Sequence, residues 1–152
     1  MVRILFVCHG NICRSPMAEF VMKDLVKKNG LESRFEIASA ATSAEELCNP
    51  VHPGTRRKLN ENGIRCDGKY AQQMTRRDYD EYDLLICMDE NNLRNMRRML
   101  GGDPEGKISK LMAFAGSIAD VSDPWYTDRF DVCYRDILAG CQGLLDTLLS
   151  DV

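Results

Sequence analysis

Short apolar runs alternate along this chain with longer amphipathic stretches. The first run, Val2-Arg3-Ile4-Leu5-Phe6-Val7, ends at Cys8. Its brevity and β-branched content predict a strand buried on both faces, as strands of a parallel sheet are. After it, Met17, Phe20, Val21 and Leu25 fall at helical spacing, and Asn29-Gly30 stops the helix. Lys27 and Lys28 come late in that helix, where cations suit its negative end. Residues 34–40 alternate and predict a second strand. The small-residue loop 41–54 leads into a helix from about Pro53 to Asn62, which Gly63 ends.

Residues 83–88 predict a third buried strand, and Asp89 is placed to cap a helix whose apolar side is Leu93, Met96 and Leu100. Gly101-Gly102-Asp103-Pro104 is a turn, and the pattern over 107–114 fits a strand or a helix. From Phe130 to Leu148 apolar residues keep a helical rhythm through the C-terminus. Strands alternating with helices predict an α/β fold with a parallel sheet covered on both faces. Ligands in such folds bind at the carboxyl ends of the strands, near a switch in strand order. Cys8 closes the first strand and so stands where that rule puts chemistry.

Composition narrows the function classes. A chain of 152 residues fits one domain, 1–152, with a core large enough to need no staple. Twenty Lys+Arg against 23 Asp+Glu give a net charge of −3. No global positive field exists to hold nucleic acid or an anionic membrane, so any phosphate binding is local. No apolar run is long enough to span a membrane. The seven cysteines are odd in number, irregularly spaced and without a C-x-x-C pair. That pattern predicts reduced thiols and a cytoplasmic setting rather than a disulfide framework. His9 and His52 form no ligand pair with the cysteines, so no metal and no other cofactor is expected.

The stretch Cys8-His9-Gly10-Asn11-Ile12-Cys13-Arg14-Ser15-Pro16 carries the chemistry. It lies between a strand and a helix. Wound around a dianion, such a loop can aim successive backbone N–H groups at the oxygens, and the helix start adds its own. Gly10 and Asn11 tolerate the positive φ that the winding needs. Arg14 can give two parallel N–H bonds, and a cation at a helix start opposes the dipole, which marks it as functional. The same field stabilises a thiolate at Cys8, and the Ser15 hydroxyl can donate to its sulfur. The result is a nucleophile beside a cradle for inorganic phosphate or a similar oxyanion.

This loop resembles the V-C-x-G-N-x-C-R-S-P loop of the low-molecular-weight protein tyrosine phosphatases. Asp123-Pro124-Trp125-Tyr126 is similar to that family's D-P-aromatic-aromatic loop, and Met88-Asp89-Glu90-Asn91-Asn92-Leu93 to its M-D-x-x-N-L segment. The resemblance implies a single-domain three-layer sandwich with a central four-stranded parallel sheet, flavodoxin-like or phosphotyrosine phosphatase I-like. It implies phosphotyrosine-containing proteins as substrates, Cys8 as nucleophile, Arg14 and the His9-to-Arg14 backbone as phosphoryl holders, and Asp123 as general acid and then base. Asn11, Ser15 and Ser39 would keep the loop in shape, and Trp125 and Tyr126 would flank the substrate ring. Within the resemblance, the branched apolar Ile12 goes with phosphotyrosine, whereas threonine at that place goes with phosphoarginine. Cys13 either packs or forms a reversible disulfide with Cys8.

Two departures stand out. The loop Thr42-Ser43-Ala44-Glu45-Glu46-Leu47 lacks the aromatic wall many relatives have, and its glutamates disfavour acidic peptides. The histidine that supports the loop in many relatives is absent near Lys69-Tyr70-Ala71, leaving Lys69 or Tyr70 to fill its place. Other readings stay open: a thiol-relay arsenate reductase using Cys66 or Cys87, a protein arginine phosphatase, a phosphocysteine carrier, or a phosphotyrosine binder without turnover. Cys48, Cys66, Cys87, Cys133 and Cys141 read as packing residues or bystanders. The basic groups at 56–58, 76–77 and 94–98 read as solvated helix faces, and His9 as a residue of the cleft mouth.

Overall fold

A computed structural model describes residues 1–150. The chain runs β1 (Val2–Cys8), α1 (Arg14–Lys28), β2 (Phe35–Ala41), α2 (Pro53–Glu61), α3 (Arg76–Glu81), β3 (Leu84–Cys87), α4 (Glu90–Leu100), β4 (Ile108–Lys110), α5 (Pro124–Thr127) and α6 (Phe130–Ser150). The four strands are parallel, in the order β2-β1-β3-β4. The expected three-layer α/β sandwich is therefore observed. Chain order reverses across β1, between β2 and β3, so the end of β1 is the switch point at which such sheets bind ligands.

The apolar run of β1 divides by alternation. Ile4, Phe6 and Cys8 join one core with α1 and α6, while Leu5 and Val7 join another with Tyr79, Leu85 and Met96. That two-sided burial is why the run is almost unbroken. On the first face α6 buries Cys133, Ile137, Cys141 and Leu144. Gly143 of α6 sits so near the 3-10 turn Leu111–Ala115 that a Cβ there would fall 2.0 Å from the Phe114 carbonyl oxygen.

The segment 107–114 contains both structures its pattern allows: the three-residue β4, then the 3-10 turn. Asp89 caps α4 through a capping box with Asn92. The Asp-Pro-Trp-Tyr segment, expected as a loop, winds into the short α5 with Asp123 as its N-cap. The basic residues Arg76, Arg77, Arg94, Arg97 and Arg98 are exposed on α3 and α4. Cys66, Cys87, Cys133 and Cys141 are buried in the cores, whereas Cys48 is exposed in a positive-φ turn. Among the described residues no helix is long and apolar enough to cross a membrane.

Candidate active site

The loop from Cys8 to Arg14 is held from outside by its carbonyls. Cys8 O accepts from Thr42 N–H at 2.9 Å, and His9 O from Ser43 N–H at 3.1 Å and the Ser43 hydroxyl at 2.9 Å. Ile12 O accepts from His52 N–H at 2.9 Å, and Cys13 O from Met17 N–H at 3.2 Å and the Thr55 hydroxyl at 3.3 Å. A trans peptide unit points its C=O and its N–H in opposite directions. The outward carbonyls thus turn the N–H groups of His9, Gly10, Cys13 and Arg14 inward, toward a pocket that these four residues line. Helix α1 begins there with Cys13 as its N-cap, no capping side chain and no acid in its first turn. Its positive dipole end lies at the same hollow, which Cys13 and Arg14 line.

The positive φ falls on Asn11, at 58°. Gly10 is not in that region, and its value is space: a Cβ there would lie 3.3 Å from Glu46 Cγ. Asn11 is buried and acts as a strut. Its Nδ2 donates to Ser15 Oγ at 2.8 Å and to Ser39 Oγ at 2.9 Å, and its Oδ1 accepts from Gln72 N–H at 3.1 Å. Ser39 donates onward to Glu19 at 2.5 Å. Because Ser15 Oγ already accepts from Asn11, its own hydrogen is free for Cys8 Sγ, 3.0 Å away. The network orders the hydroxyl so that it can donate to the sulfur. Beneath it, the buried Glu19 is balanced by Lys23 at 2.6 Å and Lys69 at 3.6 Å, and Lys69 also donates to Ser39 O at 2.9 Å. Lys69, not the exposed Tyr70, is the residue under the loop.

Arg14 is buried to 3 % exposure. Its Nη1 donates to Asp89 Oδ2 at 2.7 Å and to Val121 O at 2.8 Å, and Nη2 lies 3.5 Å from Asp123 Oδ2. Burial alone would lower the guanidinium pKa. Charge on Cys8, Asp89 and Asp123 outweighs that and moves it above the usual value. Cys8 is buried to 3 % yet lines the pocket with Arg14 and Asp123. Burial, reinforced by Cys8 and Asp123, pushes the Cys13 thiol up to about 12. Ile12 also lines the pocket, and Trp125 and Tyr126 stand exposed at its edge. His9 is at the mouth, paired with Glu45 at 2.9 Å, and Glu46 lies beside them.

Cys8, His9, Gly10, Ile12, Cys13, Arg14, Asp123, Trp125 and Tyr126 thus line one pocket, with Asn11, Ser15, Ser39 and Lys69 bonded behind it, whereas Tyr70, Cys66 and Cys87 lie outside it. Sequence reasoning missed three others. Asp89 reads as a helix cap and is one, through Oδ1 to Asn92 N–H at 2.7 Å, but its second oxygen grips Arg14. Glu19 and His52 carry no local signature.

A parallel α/β sheet with a cysteine, an arginine and an aspartate around one pocket at its switch point is a phosphatase architecture. The family model of low molecular weight phosphotyrosine protein phosphatase matches residues 3–152. The Bacillus subtilis low molecular weight protein-tyrosine-phosphatase YfkJ is 40% identical over 153 residues, covering 99% of this chain and 98% of its own. The crystal structure of YfkJ superposes with a TM-score of 0.96 at 39% identity, covering 99% of this chain and 96% of that one. The low molecular weight protein tyrosine phosphatase SP-PTP of Streptococcus pyogenes gives 0.87 at 40% identity over 97% and 93% of the two chains. DARP, a Drosophila arginine phosphatase, gives 0.87 at 28% identity over 98% and 99%. The chain belongs to the low-molecular-weight protein tyrosine phosphatase family, and with it to the hydrolases of phosphoric monoesters.

Proposed function

We propose that this chain, acting as one domain, hydrolyses phosphotyrosine on proteins through a cysteinyl-phosphate intermediate. The observation that carries the reading is the meeting of Cys8, Arg14 and Asp123 in one pocket, with Arg14 Nη2 3.5 Å from Asp123 Oδ2. In the first step the Cys8 thiolate attacks phosphorus. The S–P bond forms as the P–O bond to the tyrosyl oxygen breaks, and Asp123 gives its proton to the leaving phenolate. In the second step Asp123, now a carboxylate, takes a proton from water. That water attacks phosphorus, the S–P bond breaks, and phosphate and thiolate are released. The inward N–H groups and Arg14 hold the charge that spreads over the equatorial oxygens.

Substrate preference rests on the pocket wall. Ile12 offers a branched apolar surface, and the exposed Trp125 and Tyr126 offer faces against which a phenyl ring can lie. The seven free cysteines suit a reducing cytoplasm. A thiol relay to Cys66 or Cys87 is not favoured. Both are buried and neither lines the pocket, and burial pushes the Cys87 thiol up to about 12.

The test uses an aryl phosphate in the presence of EDTA. Cys8→Ser should abolish turnover, and Asp123→Ala should lower kcat/KM most for esters of weakly acidic phenols. Substantial activity in Cys8→Ser would overturn the mechanism. Faster turnover of phosphoarginine than of phosphotyrosine by the intact protein would overturn the substrate.

A further inference from the structure

Resting on the phosphatase reading above, we propose that His52 is a positioning residue that ties the acid-bearing segment at Asp123 to the phosphate-binding loop. The two halves of the chemistry lie far apart in sequence, and His52 touches both. Its backbone N–H holds the Ile12 carbonyl at 2.9 Å, one of the bonds that turn the loop's N–H groups inward. Its ring meets Trp125 edge-on, with centroids 5.6 Å apart and planes at 74°. The same ring stacks on Phe130, with centroids 5.2 Å apart and planes at 20°.

The imidazole is fixed in orientation. Nδ1 accepts the Gly54 N–H at 3.0 Å as the N-cap of α2, so in this arrangement Nδ1 carries no proton. Gly54 gives Phe130 its seat. A Cβ on residue 54 would fall 2.3 Å from Phe130 Cζ and 2.4 Å from Cε2, so a side chain there drives the ring off the imidazole. Trp125 lies within α5 and Phe130 opens α6, and residues 126–129 between them are exposed. The histidine ring therefore holds both ends of the exposed stretch from Trp125 to Phe130. From Trp125 the hold passes to the acid: the Trp125 backbone N–H donates to Asp123 Oδ1 at 3.0 Å, while Asp123 Oδ2 faces Arg14. A proton donor must be within hydrogen-bond reach of the leaving oxygen to act, and small displacements of reacting groups cost large factors in rate. His52 sets that position without touching substrate.

Two variants separate ring from cap. His52→Asn keeps the backbone N–H and an acceptor for the Gly54 N–H but removes the ring. His52→Phe keeps the ring and loses the acceptor. Both are compared with wild type on phenyl phosphate, a poor leaving group, and nitrophenyl phosphate, a good one. Trp125 is the only tryptophan in the chain, so its emission reports the contact directly. His52→Asn should lower kcat/KM about tenfold on phenyl phosphate and about twofold or less on nitrophenyl phosphate, a fraction of the ~10²–10⁴ that a placed acid supplies. Its Trp125 emission should shift to the red. His52→Phe should keep the wild-type ratio between the two esters within about twofold. Equal losses on both esters in His52→Asn, the same profile in both variants, or an unmoved Trp125 emission would overturn the role while the phosphatase reading stands. A wild-type protein inactive on both esters would overturn the two together.

Discussion

Asp89 holds Arg14 across 75 residues of sequence, and it does so with the carboxylate oxygen that its helix cap leaves over. Nη1 of Arg14 spends its hydrogens on Asp89 and on the Val121 carbonyl. The donors that remain are on Nε and Nη2, the pair able to give two parallel bonds to a phosphoryl group. One carboxylate thus starts α4 and aims the arginine. Asp89→Ala should lower kcat/KM on an aryl phosphate about 10–100-fold, the range for a misplaced catalytic group, and should weaken inhibition by inorganic phosphate. Measuring both in one preparation decides the matter. A phosphate inhibition constant within twofold of wild type would remove Asp89 from this role.

Cys8 receives its hydroxyl donor through a chain of fixed choices. Glu19 takes the hydrogen of Ser39, Ser39 accepts from Asn11, and Asn11 also donates to Ser15, so the Ser15 hydrogen is free for the sulfur 3.0 Å away. The buried Glu19 is paired with Lys69 at 3.6 Å and with Lys23 at 2.6 Å. Burial lowers the Lys69 pKa, and Glu19 only partly restores it. Lys69→Met strips one cation and the bond to Ser39 O, and should cost about 1–3 kcal/mol of stability and raise KM. Lys69→Arg, which keeps the charge, should recover part of both. Chemical unfolding with a parallel KM measurement checks this, and identical behaviour of the Met and Arg variants would show that the charge is immaterial.

How far the sequence reveals this protein depends on the range over which each feature acts. β1 is legible because burial on both faces leaves a nearly continuous apolar run, and the Cys8–Arg14 loop because its parts are contiguous. α3 is hard to read, since Tyr79 is its only buried side chain and one residue shows no period. The β4 segment is ambiguous because three residues of strand run straight into a 3-10 turn. Asp89, Glu19 and His52 act through partners distant in sequence. A capping aspartate looks the same whether or not its second oxygen meets an arginine.

The pocket mouth carries charge of the opposite sign to its floor. Glu45 and Glu46 line it, with His9 paired to Glu45 and Asp123 behind. The segment that carries them is tied down: Thr42 and Ser43 bond to the Cys8 and His9 carbonyls, and Cys48 N–H bonds to Ala71 O at 2.9 Å. Phosphotyrosyl peptides flanked by Lys or Arg should therefore be turned over faster than the same peptides flanked by Asp or Glu. Exposed charge pairs are worth about 0.2–1 kcal/mol each, so the ratio of kcat/KM should be about twofold to tenfold. It should shrink in high salt. Glu45→Gln with Glu46→Gln should bring the ratio toward one. A ratio indifferent to both salt and the double substitution would show that these carboxylates do not sort substrates.

Asp103 lies away from the pocket and staples α3 to the start of β4. Its Oδ1 accepts from the Tyr79 hydroxyl at 2.7 Å and the Lys107 N–H at 2.8 Å, and its Oδ2 accepts from the Ile108 N–H at 3.1 Å. Burial alone would raise this carboxyl, but the three donated bonds outweigh it and hold the pKa below the usual 3.8. As pH falls, the unfolded chain therefore binds the proton first. The stabilisation is fully present above about pH 3.8 and is lost as the pH drops through the folded-state value. Asp103→Asn keeps one acceptor and turns an N–H₂ toward the Ile108 N–H, which should cost about 1–3 kcal/mol at pH 7. The gap between wild type and variant should narrow on acidification, because wild type alone loses the charge. Urea unfolding midpoints at pH 7 and near pH 3 measure it. A gap of the same size at both would mean that the carboxylate's charge contributes nothing to holding β4 in place.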